Sequence, residues 1–122
     1  MKLIIAGSRT LNPSHGFLWG AIKMLGIIEI SEVVCGMAEG VDLEGMHFAS
    51  HAGILLAQFP ADWKQHGKAA GPIRNKQMAE YADALLLIWD GESRGSANMK
   101  KEMQKLKKPI YEVILKKPNE TW

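Results

Sequence analysis

Five short runs, "KLIIA" at 2–6, "EVVC" at 32–35, "ILLAQF" at 54–59, "ALLLIW" at 84–89 and "IYEVIL" at 110–115, constrain this chain more than anything else in it. Most are apolar without interruption. A strand that is wet on one face alternates apolar with polar residues, whereas an unbroken apolar run belongs to a strand covered on both faces, as in a parallel sheet flanked by helices. Helical periodicity fills the intervals, from about Pro13 to Leu25, Val41 to Ala52, Pro72 to Ala82 and Ser96 to Lys107, with Gly26 and Gly53 closing the first two. The repeated unit is strand, loop, helix. Crossovers between parallel strands are nearly always right-handed, so the expected fold is α/β: a doubly wound three-layer sandwich around a five-stranded, mainly parallel sheet.

The chain has 122 residues, enough for one core, and residues 1–116 are read as a single domain followed by a short tail at 117–122. No apolar stretch nears the roughly 18 residues that a membrane helix needs, and "MKLIIAGSRT" lacks the apolar h-region of a secretory signal. No membrane partner is expected. Cys35 is the single cysteine, without a partner for a disulfide or zinc spacing, which fits a reducing, cytoplasmic setting. The net charge is only +2, but seven lysines fall between Lys100 and Lys117, so any basic surface is local to the C-terminal end. Nucleic-acid binding usually shows as a basic patch with arginine or interleaved aromatics, so this lysine run reads first as a solvated helix face, and nucleic acid as the less favoured partner.

In such a fold the strand-to-helix loops share the carboxyl edge of the sheet, where ligands bind. Those loops are "AGSRT", "CGMAEGVD", "FPADWKQHGKAAGPIRN" and "WDGESRGSAN", and eight of the twelve glycines lie in or beside them. Glycine lets a ligand approach the backbone, and helix N-termini offer unpaired N–H groups to a phosphate. Gly7, Ser8 and Arg9 in the first loop, and Ser93, Arg94, Gly95 and Ser96 in the last, join hydroxyls and guanidinium groups in a combination suited to phosphate or ribose oxygens. Gly36, Gly40, Gly71, Asp90 and Gly91 complete the candidate lining.

Arg74 and Asn75 follow Pro72, which suits the first turn of a helix, so Arg74 is expected in that turn. Arg74, Met78 and Ala82 share one stripe, whose apolar members face the sheet. A cation at a helix N-terminus opposes the dipole and asks for an anion, supplied either by a ligand or by Asp42, Asp62 or Asp90. Asp42 reads equally as a dipole-compensating residue or a ribose acceptor, and Ser96 as an N-cap or a phosphate contact. Trp63 and Trp89 have the faces to stack on a base, though tryptophan beside a strand usually belongs to the core; only Trp63 lies in a loop. His47 and His51 are four apart but lack the glutamate of a zinc-protease pattern, and no metal is expected.

Taken together, "AGSR", "CGMAEGVD", "FPADWKQHGKAAGPIRNKQM" and "LLLIWDGESRGSANM" resemble the YspA-like branch of the SLOG superfamily, over Lys2 to about Val113. That Rossmann-like superfamily also holds the DNA-processing protein DprA and the LOG phosphoribohydrolases. The resemblance implies a pocket for a nucleotide or a nucleotide-derived small molecule (a nucleoside monophosphate, an NAD- or ADP-ribose-like molecule or a nucleotide sugar), with no reaction common to the branch and no certain cofactor. LOG enzymes carry an arginine four residues before a methionine, matched by Arg74 and Met78, which makes Arg74 the catalytic candidate if the chain is an enzyme. Their "PGGxGTxxE" loop is matched at Gly95 and Ser96, but Met99 stands at the glutamate position, and an oxocarbenium-like centre needs a carboxylate nearby. The expectations are therefore a ligand-binding module first, a nucleotide N-glycosidic hydrolase second and a single-stranded DNA binder third. A homo-oligomer is also expected, with Met99, Met103 and Leu106 either shared between copies or packed on the sheet.

Overall fold

The structure is a computed structural model and describes residues 1–115. The expected tail at 117–122, and residue 116 before it, lie outside the described residues. In chain order the elements are β1 (Lys2–Gly7), α1 (His15–Met24), β2 (Glu32–Cys35), α2 (Val41–Ala52), β3 (Leu55–Gln58), α3 (Trp63–His66), α4 (Ala70–Tyr81), β4 (Ala84–Trp89), α5 (Arg94–Lys105) and β5 (Ile110–Ile114). The five strands are all parallel, in the order β3-β2-β1-β4-β5.

The unbroken apolar runs bury both faces of the sheet, as the sequence leads one to expect. Leu3 and Ile5 of β1, with Leu86 and Ile88 of β4, pack with Leu18 of α1 and Phe48 of α2. Their neighbours Ile4, Ala6, Leu85 and Leu87 point the other way, onto Met78 of α4 and Met99 and Met103 of α5. The period-two alternation of strand side chains thus divides one apolar string between two cores. Met99 and Met103 are spent in this packing, so of the expected shared face only Leu106 is exposed.

Several boundaries shift by one or two residues from the expectation, and two of these shifts fall at the carboxyl edge of the sheet. The long third loop contains α3 and a single 3-10 turn at Gly67–Ala69, and α4 begins at Ala70 rather than Pro72. Pro72 is the third residue of that helix, where a missing N–H still leaves no hydrogen bond unmade. Arg74 consequently sits at the start of the second turn. At the other end of the site α5 starts at Arg94, two residues before the expected Ser96.

The C-terminal lysines are not simply a solvated face. Lys108 Nζ donates to the carbonyls of Ala79, Glu80 and Ala82 at 2.8, 3.1 and 2.7 Å, closing the C-terminal end of α4. Lys100 Nζ donates to Glu112 of β5 at 2.9 Å, and the same carboxylate accepts from Trp89 Nε1 at 2.7 Å.

Candidate functional site

β1 and β4 are neighbours, yet the chain leaves them in opposite directions: β1 leads toward β2 and β3, β4 toward β5. This reversal opens a crevice beyond the carboxyl ends of the two strands. The register sets Gly7 beside Ile88, and the approach is so close that a β-carbon at Gly7 would lie 1.7 Å from the Ile88 carbonyl oxygen. Ser8, the next residue, ties the loops together. Its N–H donates to Ile88 O at 3.2 Å, its carbonyl accepts from Leu11 and Val41, each at 3.3 Å, and its hydroxyl accepts from Asp90 N at 3.1 Å.

The crevice is a cleft of about 400 Å³. The first loop supplies Gly7, Ser8 and Arg9 to its wall, α2 supplies Asp42, α4 supplies Arg74 and Asn75, and the last loop with α5 supplies Asp90, Ser93, Arg94, Gly95 and Ser96. Eleven residues picked from four separate stretches of sequence therefore meet around one cavity.

The N-terminus of α5 faces this cleft. Ser93 is its N-cap, accepting from Ser96 N at 3.4 Å, so the capping role considered for Ser96 belongs to the residue three before it. Asp90 Oδ1 accepts from the N–H groups of Glu92 and Ser93 at 2.8 and 2.9 Å, which holds the loop in the turn that starts the helix. Ser96 is left in an unusual position: it is 4% exposed, lines the cleft, and its Oγ has no hydrogen-bond partner among the described residues. A buried polar atom without a partner costs about 1–3 kcal/mol, so this hydroxyl is open to water or to a ligand's polar atom in the cleft. Exposed Arg9 and Arg94 stand around it.

Arg74 is 9% exposed. Its Nε donates to Asn75 Oδ1 at 3.0 Å and one terminal nitrogen donates to the Gly36 carbonyl. A β-carbon at Gly36 would come within 2.4 Å of the guanidinium, so a larger residue there would push the arginine's head away from β2's end. None of the ion pairs among the described residues includes Arg74. Asn75 in turn donates to Gly95 O at 3.3 Å and Asn98 Oδ1 at 2.9 Å, so it locks α4 to α5 as well as lining the cleft.

Asp42 is 5% exposed and accepts from Gly7 N at 3.3 Å. Burial pushes its carboxyl up to about 6, against the opposing pull of the Arg74 guanidinium and the amides of Gly7, Gly36 and Ala38. Burial also pulls the Arg74 guanidinium below its ordinary value, offset by the Asp42 charge. The two groups feel each other across the cleft without forming a direct ion pair.

A second hollow, of about 410 Å³, adjoins the first, and both Arg9 and Arg74 line the two of them. Gly36 and Trp63 belong to this one. Four other predicted site residues line neither. Gly40 takes φ +76 ahead of α2, with the Ser8 carbonyl where a β-carbon would go; Asp62 caps α3 by accepting from Gln65 N at 3.1 Å; Gly71 lies in the first turn of α4; Gly91 turns the last loop at φ +84. Sequence reading passed over Thr10, Met37 and Ala38, which do line the hollows. Met37 gives no signal in the sequence, because its left-handed backbone (φ 61) is a product of the fold.

Trp89 is core, 7% exposed. His47 is held by Glu44 at 3.2 Å and His51 packs on the His15 ring at 4.6 Å between centroids; no cluster able to hold a metal occurs among the described residues. Cys35 is buried, which raises its thiol pKa. No helix among the described residues is long and apolar enough to cross a membrane.

Fold and cleft together define a doubly wound α/β protein with an arginine-bearing hollow at its switch point. Among solved structures it is similar to DNA processing protein A (DprA) from Streptococcus pneumoniae, with a TM-score of 0.70 and 16% identity over 97% of this chain and 52% of that one. The fold is thus of the DprA, Rossmann-like type, and the chain spans about half the length of that protein. No protein-family model matches the chain, and no curated protein matches it by sequence.

Proposed function

We propose that the protein binds a nucleotide or a nucleotide-derived small molecule in the switch-point cleft, as a sensor or a processing protein. The observation that carries this reading is the unpartnered, buried Ser96 Oγ at the N-terminus of a twelve-residue helix, inside a cleft flanked by Arg9, Arg74 and Arg94. A phosphate supplies what each of these lacks: an acceptor for the hydroxyl and for the first-turn N–H groups of α5, and negative charge against the guanidinium groups and the helix dipole. The YspA-like resemblance of the loops supports the same ligand class, and the DprA-type fold is compatible with it.

Ser96→Ala separates this function from folding. Since the hydroxyl bonds to nothing among the described residues, the variant should unfold at the wild-type midpoint or slightly above it. Its affinity for AMP, measured by isothermal titration, should fall about tenfold, the value of one hydrogen bond to a charged group. Unchanged affinity in Ser96→Ala counts against a phosphate at this helix.

A second reading, N-glycosidic hydrolysis of a nucleoside monophosphate, rests on Asp42. It is a carboxyl group with its pKa near 6, in the same cleft as Arg74 and as Met99, the residue at the position of the LOG glutamate. Such a group is able to stabilise or protonate a departing centre. Release of free base by the wild type and none by Asp42→Asn would establish it; no release by the wild type removes it.

A further inference from the structure

We infer that the second hollow is the seat of a planar aromatic base, so that the ligand is a mononucleotide divided at Arg74: phosphate in the switch-point cleft, base against Trp63. This deepens the proposed function and rests on it.

The two hollows differ in chemistry. The first carries hydroxyls, carboxylates and the α5 N-terminus, whereas the second sets Met37, Pro60 and Trp63 beside the charged Arg9, Glu39 and Arg74 and has the aromatic face that the first lacks. Trp63 is 53% exposed and Met37 45% exposed, two large apolar side chains left bare on the wall of this one hollow. An indole in water forfeits much of its burial energy, and its π-face is the surface on which a base stacks.

Trp63 is also held in place. Asp62 caps the short helix that begins with it, and the far end of its ring lies beside Gly71, where a β-carbon would stand 3.6 Å from Cη2. Gly71 and Arg74 are three apart on α4, on neighbouring positions of one helical face, so one helix carries both the support of the ring and the cation between the hollows. Arg74 is itself fixed by Gly36 O and Asn75. A guanidinium at that boundary serves a phosphate on one side and the edge or face of a base on the other. Glu39, also on the second hollow, offers an acceptor to an exocyclic amine. Each hollow is near 400 Å³, in the range of small-ligand sites, and together they suit one mononucleotide.

The test measures the affinity ratio of AMP to ribose 5-phosphate by isothermal titration of wild type, Trp63→Ala and Trp63→Phe, with a single-stranded deoxythymidine oligomer as a further ligand. Stacking predicts that the wild type prefers AMP about five- to hundredfold, that Trp63→Ala abolishes the preference and that Trp63→Phe keeps most of it. Equal wild-type affinities, or a preference that survives in Trp63→Ala, overturn the base seat while leaving the phosphate cleft intact. A wild type that binds neither small ligand overturns both readings. An oligomer that binds more tightly than AMP, with an affinity falling steeply as salt rises, transfers the site to nucleic acid and overturns the mononucleotide.

Discussion

Asp42 shows what a single buried carboxyl does to the stability of this chain. Its folded pKa of about 6 lies above the ordinary 3.8, so the folded state holds the proton more tightly than the unfolded one. The corresponding stability is complete below about pH 4 and is lost as the pH rises through 6. Measured without ligand, the wild type should lose about 2–3 kcal/mol between pH 4 and pH 7 relative to Asp42→Asn. Chemical denaturation of both proteins across that range checks it, and parallel curves would place the carboxyl in a better-solvated setting. The asparagine still offers an oxygen to Gly7 N, so the difference reports charge rather than a lost hydrogen bond. A residue that weakens the fold at neutral pH while lining the cleft is one whose presence the fold does not explain.

Among the elements, α4 depends on a residue far from it in sequence. Lys108 reaches three carbonyls at the helix's C-terminal end, a charge-assisted cap that also favours the dipole. Lys108→Met should cost about 1–3 kcal/mol in thermal or denaturant unfolding, whereas Lys107→Met, whose ammonium has no such contact described, should change little. Equal effects of the two would show that the cap contributes nothing. This is where the sequence is least informative. The strands were legible because apolar runs covered on both faces look alike in any context, and four main helices because periodicity and glycine stops mark them. Lys108 looks like six other lysines, and α3 hides among residues such as Pro60, Asp62 and Gly67 that signal a loop.

For the whole molecule the decisive place is the seam between β1 and β4, where the two wings of the sheet join. A methyl group at Gly7 would lie 1.7 Å from the Ile88 carbonyl oxygen and 2.9 Å from Val41 Cγ2, and β1 and β4 are each flanked by another strand. Gly7→Ala should therefore lower stability by more than about 3 kcal/mol, or prevent folding, in one cooperative transition. A normal unfolding curve would mean that the seam is looser than the distances state. The site was partly legible for the same topological reason: loops after parallel strands must share an edge, so Gly7, Ser8, Arg74 and Ser96 could be grouped before any geometry was known. What the sequence could not separate was lining from support. Gly40, Asp62, Gly71 and Gly91 have the same residue types as the cleft's own walls, and only coordinates divide them. Nor could it tell that Ser93 rather than Ser96 caps α5, a difference of one turn that leaves the second hydroxyl unspoken for.

Ser8 adds a matter of timing. Its hydroxyl meets the Asp90 amide across 82 residues of chain, and its carbonyl meets Val41. Closing a loop of such span costs more chain entropy than closing a short one. No half-formed chain, and no fragment released early from a ribosome, holds these loops together. The wall of the cleft is thus built only when β4 has brought Asp90 beside β1, and a chain cut before that strand keeps Ser8 but loses the partner of its hydroxyl.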